Sequence, residues 1–182
     1  MNFIELANKR YSVRSYSDKP VEKEKILRCV EAARLSPSAC NSQPWHFIIV
    51  DDVELKNKVA KESFMALSNM NKFTLDAPVM IVLVIEKKNM SSNIGSFLKN
   101  KDFSLIDIGI AAEHFCLQAA EEGLGTCMLG WFNEKVVKKL LSIPKSKHIG
   151  LLISLGYPKD ESFPDKKRKP IDDICSFNGY NK

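Results

Sequence analysis

The sequence predicts one globular domain in which helices and strands are mixed, and two features carry that expectation. Residues 78–85 form an apolar run of the length of a buried strand, far too short to cross a bilayer. Residues 104–122 repeat apolar side chains at the three- and four-residue spacing of a helix. A chain of 182 residues with 45% hydrophobic and 27% charged residues can close a core around both.

Charge and cysteine content exclude several classes. The net charge of +5 is dispersed, because acids interrupt most basic runs, as in residues 56–62 and 159–169. That is the pattern of a solvated surface, so no nucleic-acid partner is expected. Cys29, Cys40, Cys116, Cys127 and Cys175 are odd in number and scattered without a C-x-x-C pair, which predicts neither a disulfide framework nor a zinc site. No membrane or targeting segment is read in the chain, and with the cysteine pattern this predicts a reduced, cytoplasmic protein.

Taken in order, Phe3, Ile4 and Leu6 mark a short amphipathic helix that stops before residues 9–16. There Arg10 and Arg14 sit four apart beside serine hydroxyls. A planar guanidinium fork with a small hydroxyl is suited to gripping a phosphate; the same residues also fit a charged turn paired with surface carboxylates. Ser17-Asp18-Lys19-Pro20 offers cap and start signals for a helix over 22–35, with Ile26, Leu27, Val30 and Ala33 at helical spacing. A strand over 46–50, a helix over 53–67, a polar connection over 68–74 and a buried strand over 78–86 follow.

Residues 87–102 set small polar residues between charges and read as a surface loop suited to a lid. In the helix over 104–122, Leu105, Ile108, Ala112, Phe115 and Ala119 form the apolar stripe. Ile110, Ala111 and Leu117 widen it, which predicts a central or inter-subunit helix, ended by Gly123 and Gly125. A short strand from 126 breaks at Gly130, a helix spans 133–141 and a last strand spans 148–155. The tail over 156–182 has little periodicity but holds Phe163, Ile171, Ile174, Phe177 and Tyr180, anchors suited to wrapping its own domain or a partner subunit.

Residues 36–47 read Ser-Pro-Ser-Ala-Cys-Asn-Ser-Gln-Pro-Trp-His-Phe, a rigid, non-repetitive loop that breaks one helix and delivers a strand. Its backbone donors make it a ligand loop, and an ordinary helix-to-strand connection fits the same residues. Motif elimination narrows the chemistry. Gly123-x-Gly125-x-x-Met128 lacks the third glycine of a dinucleotide fingerprint and follows a helix where that motif needs a strand. His46, His114 and His148 lack ligand spacing and read as structural, so no metal is expected. Cys40 reads as a small packing residue, because no histidine is spaced to activate it.

Four ordered blocks now carry a resemblance: Arg10-x-Ser12-x-Arg14, then Ser36-Pro37-Ser38-x-x-Asn41-x-Gln43-Pro44-Trp45-x-Phe47, then Gly123 to Cys127 leading to Gly130-Trp131-Phe132, then Lys166-x-Arg168-x-Pro170. Together they resemble the flavin-dependent nitroreductase family over nearly the whole chain. The resemblance implies an α+β fold, a sheet flanked by helices, in a homodimer that binds FMN at the subunit interface and exchanges its C-terminal segments. It implies a single domain over 1–182, with 156–182 wrapping the partner subunit.

For the cofactor, the resemblance implies phosphate-side contacts from Arg10, Tyr11, Ser12 and Arg14, joined by Lys166 and Arg168. Pro37, Ser38, Ala39 and Asn41 would meet the flavin from the partner subunit, and Leu129, Gly130 and Trp131 would bring backbone near the ring. Cys40 departs from a position often held by glycine, serine or threonine, and the 87–102 segment is short. The implied reaction takes a hydride from NADH or NADPH to the flavin, then to a nitroaromatic, quinone or similar acceptor, by a ping-pong route without a catalytic side chain. A flavin-binding sensor or storage protein would keep the same contacts without turnover.

Overall fold

Four strands, β1 (Trp45–Val50), β2 (Val79–Ile85), β3 (Gly125–Leu129) and β4 (His148–Gly156), pair in the order β1-β2-β4-β3, every neighbour antiparallel. They belong to a computed structural model that describes residues 1–64, 70–86, 102–160 and 165–180. Successive side chains of a strand point to opposite faces, and the central strand β2 is apolar on both. Val79, Ile81 and Leu83 enter one core; Met80, Val82 and Val84 enter the other. That two-sided burial needs helices above and below the sheet.

The helices are α1 (Phe3–Lys9), α2 (Lys23–Arg34), α3 (Val53–Lys61), α4 (Phe103–Glu121) and α5 (Glu134–Leu140). α2 and α4 pack on one face, where Ile26, Cys29 and Ala33 meet Ile108, Ala112, Phe115 and Ala119. α3 and α5 cover the other through Val59, Ala60 and Val137. Asn2, Asp52 and Asn133 cap α1, α3 and α5 by accepting backbone N–H groups of the first turn. The fold is α+β, as the resemblance implies. Among the described residues no helix is long and apolar enough to cross a membrane.

Several expectations change. α2 starts at Lys23 with Glu22 as its N-cap and no side-chain cap bond, so Ser17–Pro20 is not its start signal. Ser17 N–H instead donates to the Tyr157 carbonyl at 2.9 Å, tying this stretch to the end of β4. α3 stops at Lys61 because Ser63 turns back, its hydroxyl donating to the Ala60 carbonyl at 2.7 Å. Residues 72–75, expected as part of a polar connection, form a turn of 3-10 helix with Thr74 buried. Leu105 is not in the packed stripe of α4: it is 55% exposed beside exposed Ile106. The loop expected over 87–102 falls outside the described residues except at Asp102.

One glycine sets how closely the N-terminal segment lies on the sheet. A Cβ built on Gly125 would stand 2.5 Å from Val13 Cγ2 and 2.8 Å from Val13 Cβ, so no larger residue fits while Val13 stays in place. Gly125→Ala is therefore expected to cost about 1–3 kcal/mol of stability, as overpacking does. Denaturant unfolding measures it, and a variant as stable as the wild type would show that Val13 has room to move.

Candidate functional site

The segment after α1 docks on the outer edge of β3. Val13 N–H donates to the Thr126 carbonyl at 2.9 Å, and Ser12 bridges Thr126 in parallel register. The strand-like alternation then sorts the side chains: Val13 is buried, while Ser12 and Arg14 remain exposed. Tyr16 secures the far end, its hydroxyl 3.0 Å from the Val13 carbonyl and 2.8 Å from Ser154 Oγ. Burial holds that phenol far above its ordinary range, so it stays protonated and able to donate.

Positive charge gathers around this edge. Arg10 Nε lies 3.2 Å from Glu113 Oε1 on α4. Lys166, from the tail, donates to the Ala7 carbonyl in the last turn of α1, where a cation is favoured. Burial, then repulsion from Arg10 and Arg168, pull Lys166 below the usual lysine range, and Glu113 only partly offsets them. Charged Lys166 therefore costs the folded state stability at pH below that depressed pKa, and the cost fades as pH rises from there to the ordinary lysine range. Arg14 extends the basic edge with its guanidinium 6.0 Å over the Phe73 ring. Burial pushes the Cys127 thiol up, and Arg14, a Ser12 hydrogen bond and Arg10 oppose that rise, which places all three near it.

The 36–47 loop is held differently. Ser36 closes α2 by donating to the Ala33 carbonyl at 2.7 Å, and residues 39–41 make one 3-10 turn. Cys40 (φ 52°), Asn41 (φ 51°) and Gln43 (φ 45°) all adopt left-handed backbone. That conformation favours glycine, one of the residues expected at position 40. Internal bonds support it: Ser38 Oγ accepts from Gln43 N–H at 2.9 Å, and Gln43 Nε2 reaches Asn41 Oδ1 at 3.1 Å. Ala39 N–H donates to Asp107 Oδ1 on α4 at 3.1 Å.

The structure thus brings Arg10, Lys166 and Arg168 together, beside the edge that carries Tyr11, Ser12 and Arg14. It does not join them to Pro37, Ser38, Ala39 and Asn41. The two groups hang on Glu113 and Asp107, six residues apart on α4. At about 100° and 1.5 Å per residue that is roughly 9 Å along the axis and a third of a turn around it. Leu129 points into the core against the α5 side, leaving only its main chain for a ligand. Beyond it, a Cβ on Gly130 would meet nothing within 4 Å, and Trp131 is 61% exposed. Asp107 and Glu113 were not among the sequence-derived candidates, although an acid inside the apolar run 105–108 is a signal of a buried partner.

The Nitroreductase family model matches residues 7–71 and 67–157. The chain belongs to the Nitroreductase family. An Archaeoglobus fulgidus relative, provisionally named an NADH dehydrogenase/NAD(P)H nitroreductase, is 34% identical over 156 residues, 84% of this chain and 83% of that protein. The crystal structure of a nitroreductase family protein from Clostridium novyi NT is 32% identical with a TM-score of 0.76, covering 91% of this chain and 89% of its own. An FMN-dependent nitroreductase from Clostridium difficile R20291 superposes with a TM-score of 0.80 at 28% identity, over 98% of this chain and 100% of that one.

The left-handed backbone at Cys40 makes a test. Cys40→Gly is expected to stay within about 1 kcal/mol of the wild type, while Cys40→Val, β-branched, loses about 1–2 kcal/mol more. Thermal unfolding of the pair measures the difference, and equal stabilities would contradict the strained loop.

Proposed function

We propose that the chain is an FMN-dependent oxidoreductase that takes a hydride from NADH or NADPH and delivers it to a nitroaromatic, quinone or similar electron-poor acceptor. The observation that carries this reading is the basic edge, where Lys166 of the tail reaches the last turn of α1, Arg10 follows that turn, and Ser12 and Arg14 face out from the segment paired to β3. A phosphate dianion would relieve the repulsion of Lys166 by Arg10 and Arg168, and Ser12 and Arg14 add donors. Open space at Gly130 suits close approach of a ring to the main chain. Bound FMN would supply the hydride chemistry itself. This chain's residues would bind its phosphate, orient its ring through the backbone at 129–131, and leave one face open beside Trp131. Membership of the Nitroreductase family supports the nicotinamide donor.

The site needs a second copy of the chain on this reading. The outward face of α4 carries exposed Leu105, Ile106 and Gly109, and Phe3 and Ile4 of α1 are exposed beside it. Ile171, Ile174, Phe177 and Tyr180 of the tail are also exposed, Phe177 at 84%, so these anchors find no core among the described residues. A Cβ on Gly109 would meet nothing within 4 Å. A mid-helix glycine costs about 1 kcal/mol relative to alanine, and among the described residues nothing packs against it. Close approach by the same helix of a partner would give a reason for it. The dimer would place the 37–41 loop of one chain over the flavin gripped by the other.

The test is flavin binding followed by reduction. FMN should bind, and NADH or NADPH should bleach it without acceptor while a quinone restores its colour, as ping-pong turnover requires. Arg10→Ala should weaken FMN by about 1.5–3 kcal/mol, the worth of a charge-assisted hydrogen bond. Affinity should also fall as pH rises through the depressed Lys166 pKa, a trend that Lys166→Met flattens. FMN that stays oxidised with either nicotinamide would instead favour a non-catalytic flavin carrier.

Assembly has its own test. Gly109→Leu should shift sedimentation toward monomer and lower flavin content in step. A flavin-loaded monomer would overturn the shared site.

A further inference from the structure

Asp107 stands inside the apolar stretch 105–108 and is only 3% exposed. Its Oδ1 accepts the Ala39 N–H at 3.1 Å; its Oδ2 is sealed from solvent without a hydrogen-bond partner among the described residues. Burying a carboxylate is costly, and an oxygen left without a donor raises that cost. A neutral Asn could accept the same bond with less desolvation. The acid therefore sits where stability alone would not favour it, which directs attention to what it holds.

What it holds is the placement of the loop. Asn41 N–H donates to the Ser38 carbonyl, Ser42 N–H to the Ala39 carbonyl and Gln43 N–H to Ser38 Oγ, all within the loop. Bonds of that kind fix its shape, and its height against α4 needs a contact to that helix. The bond from Ala39 to Asp107 ties the loop to α4, as the Trp45 N–H bond to the Gln43 carbonyl ties its far end to β1. α4 is a 19-residue helix packed along α2 and the sheet, so an anchor on it is rigid.

We propose that Asp107 is a positioning residue for the cofactor: through the Ala39 N–H it sets the height and tilt of the Pro37–Ser38–Ala39 backbone against the flavin. The inference rests on the FMN reading above. It also gives α4 two functional attachments, the loop through Asp107 and the phosphate cations through Glu113. One rigid element then sets the offset between the loop a chain extends and the phosphate grip it keeps.

The test compares full-length Asp107→Ala and Asp107→Asn with the wild type. Hydrogen exchange of peptides covering 36–47 is followed in flavin-free protein, and FMN affinity and the visible circular dichroism of bound FMN are measured in parallel. Asp107→Ala should speed exchange in that loop by about tenfold or more and weaken FMN by about tenfold to a hundredfold, the range for losing a hydrogen bond to a charged group. The dichroism of the remaining bound FMN should change. Asp107→Asn, which keeps an acceptor, should restore most of the loop protection, affinity and dichroism. Equal FMN affinity in Asp107→Ala and wild type overturns the proposal alone. So does an Asn variant no better than Ala, or exchange that rises equally in β2. A wild-type chain that binds no FMN overturns the functional reading and this proposal with it.

Discussion

The hydrogen bond from Val13 N–H to the Thr126 carbonyl extends the sheet past β3, and the basic edge is built from that attachment. Without a neighbour, the outer side of β3 would present unpaired backbone groups; with it, the N-terminal segment becomes strand-like and inherits the two-residue alternation of a strand. Val13 goes inward against Gly125, so Ser12 and Arg14 must face out together. Tyr16 then locks the segment to Ser154 of β4. The phosphate-binding geometry proposed for this edge is therefore a consequence of sheet pairing and one close glycine contact.

α4 is the second constraint. Its inward side is apolar, from Ile108 to Ala119, and seals α2 to the sheet. Two acids interrupt it, Asp107 under the 36–47 loop and Glu113 beside Arg10. Its outward side leaves Leu105, Ile106 and Gly109 uncovered among the described residues. An exposed apolar turn on a central helix is what the proposed dimer would cover. The exposed tail anchors fit the same account, because apolar groups without a core of their own gain by covering another surface.

The electrostatics of the cluster follow from proximity. Arg10, Arg168 and Lys166 are near enough for repulsion and burial to lower the Lys166 pKa, with Glu113 as partial compensation. An anion bound beside them would relieve that repulsion, which is the basis of the phosphate contact proposed for this edge.

By itself the sequence determined the elements whose signal is local. The unbroken apolar run of β2 and the helical spacing of Ile108, Ala112, Phe115 and Ala119 could only be buried in one way, and they are. The proline and small polar residues of 36–47 marked a loop of fixed shape, and their order with Arg10, Gly130 and Lys166 carried the family resemblance. Tertiary structure decided what depends on a distant partner. Ser17–Pro20 looked like a helix cap but pairs with the end of β4, because the Tyr157 carbonyl is there to accept. Leu105 fits the stripe of α4 by spacing yet is exposed, since no element among the described residues covers that turn. Asp107 looked like an interruption and became an anchor only when Ala39 was folded against it. Periodicity reports which face is apolar; contacts between segments far apart in sequence decide what that face meets.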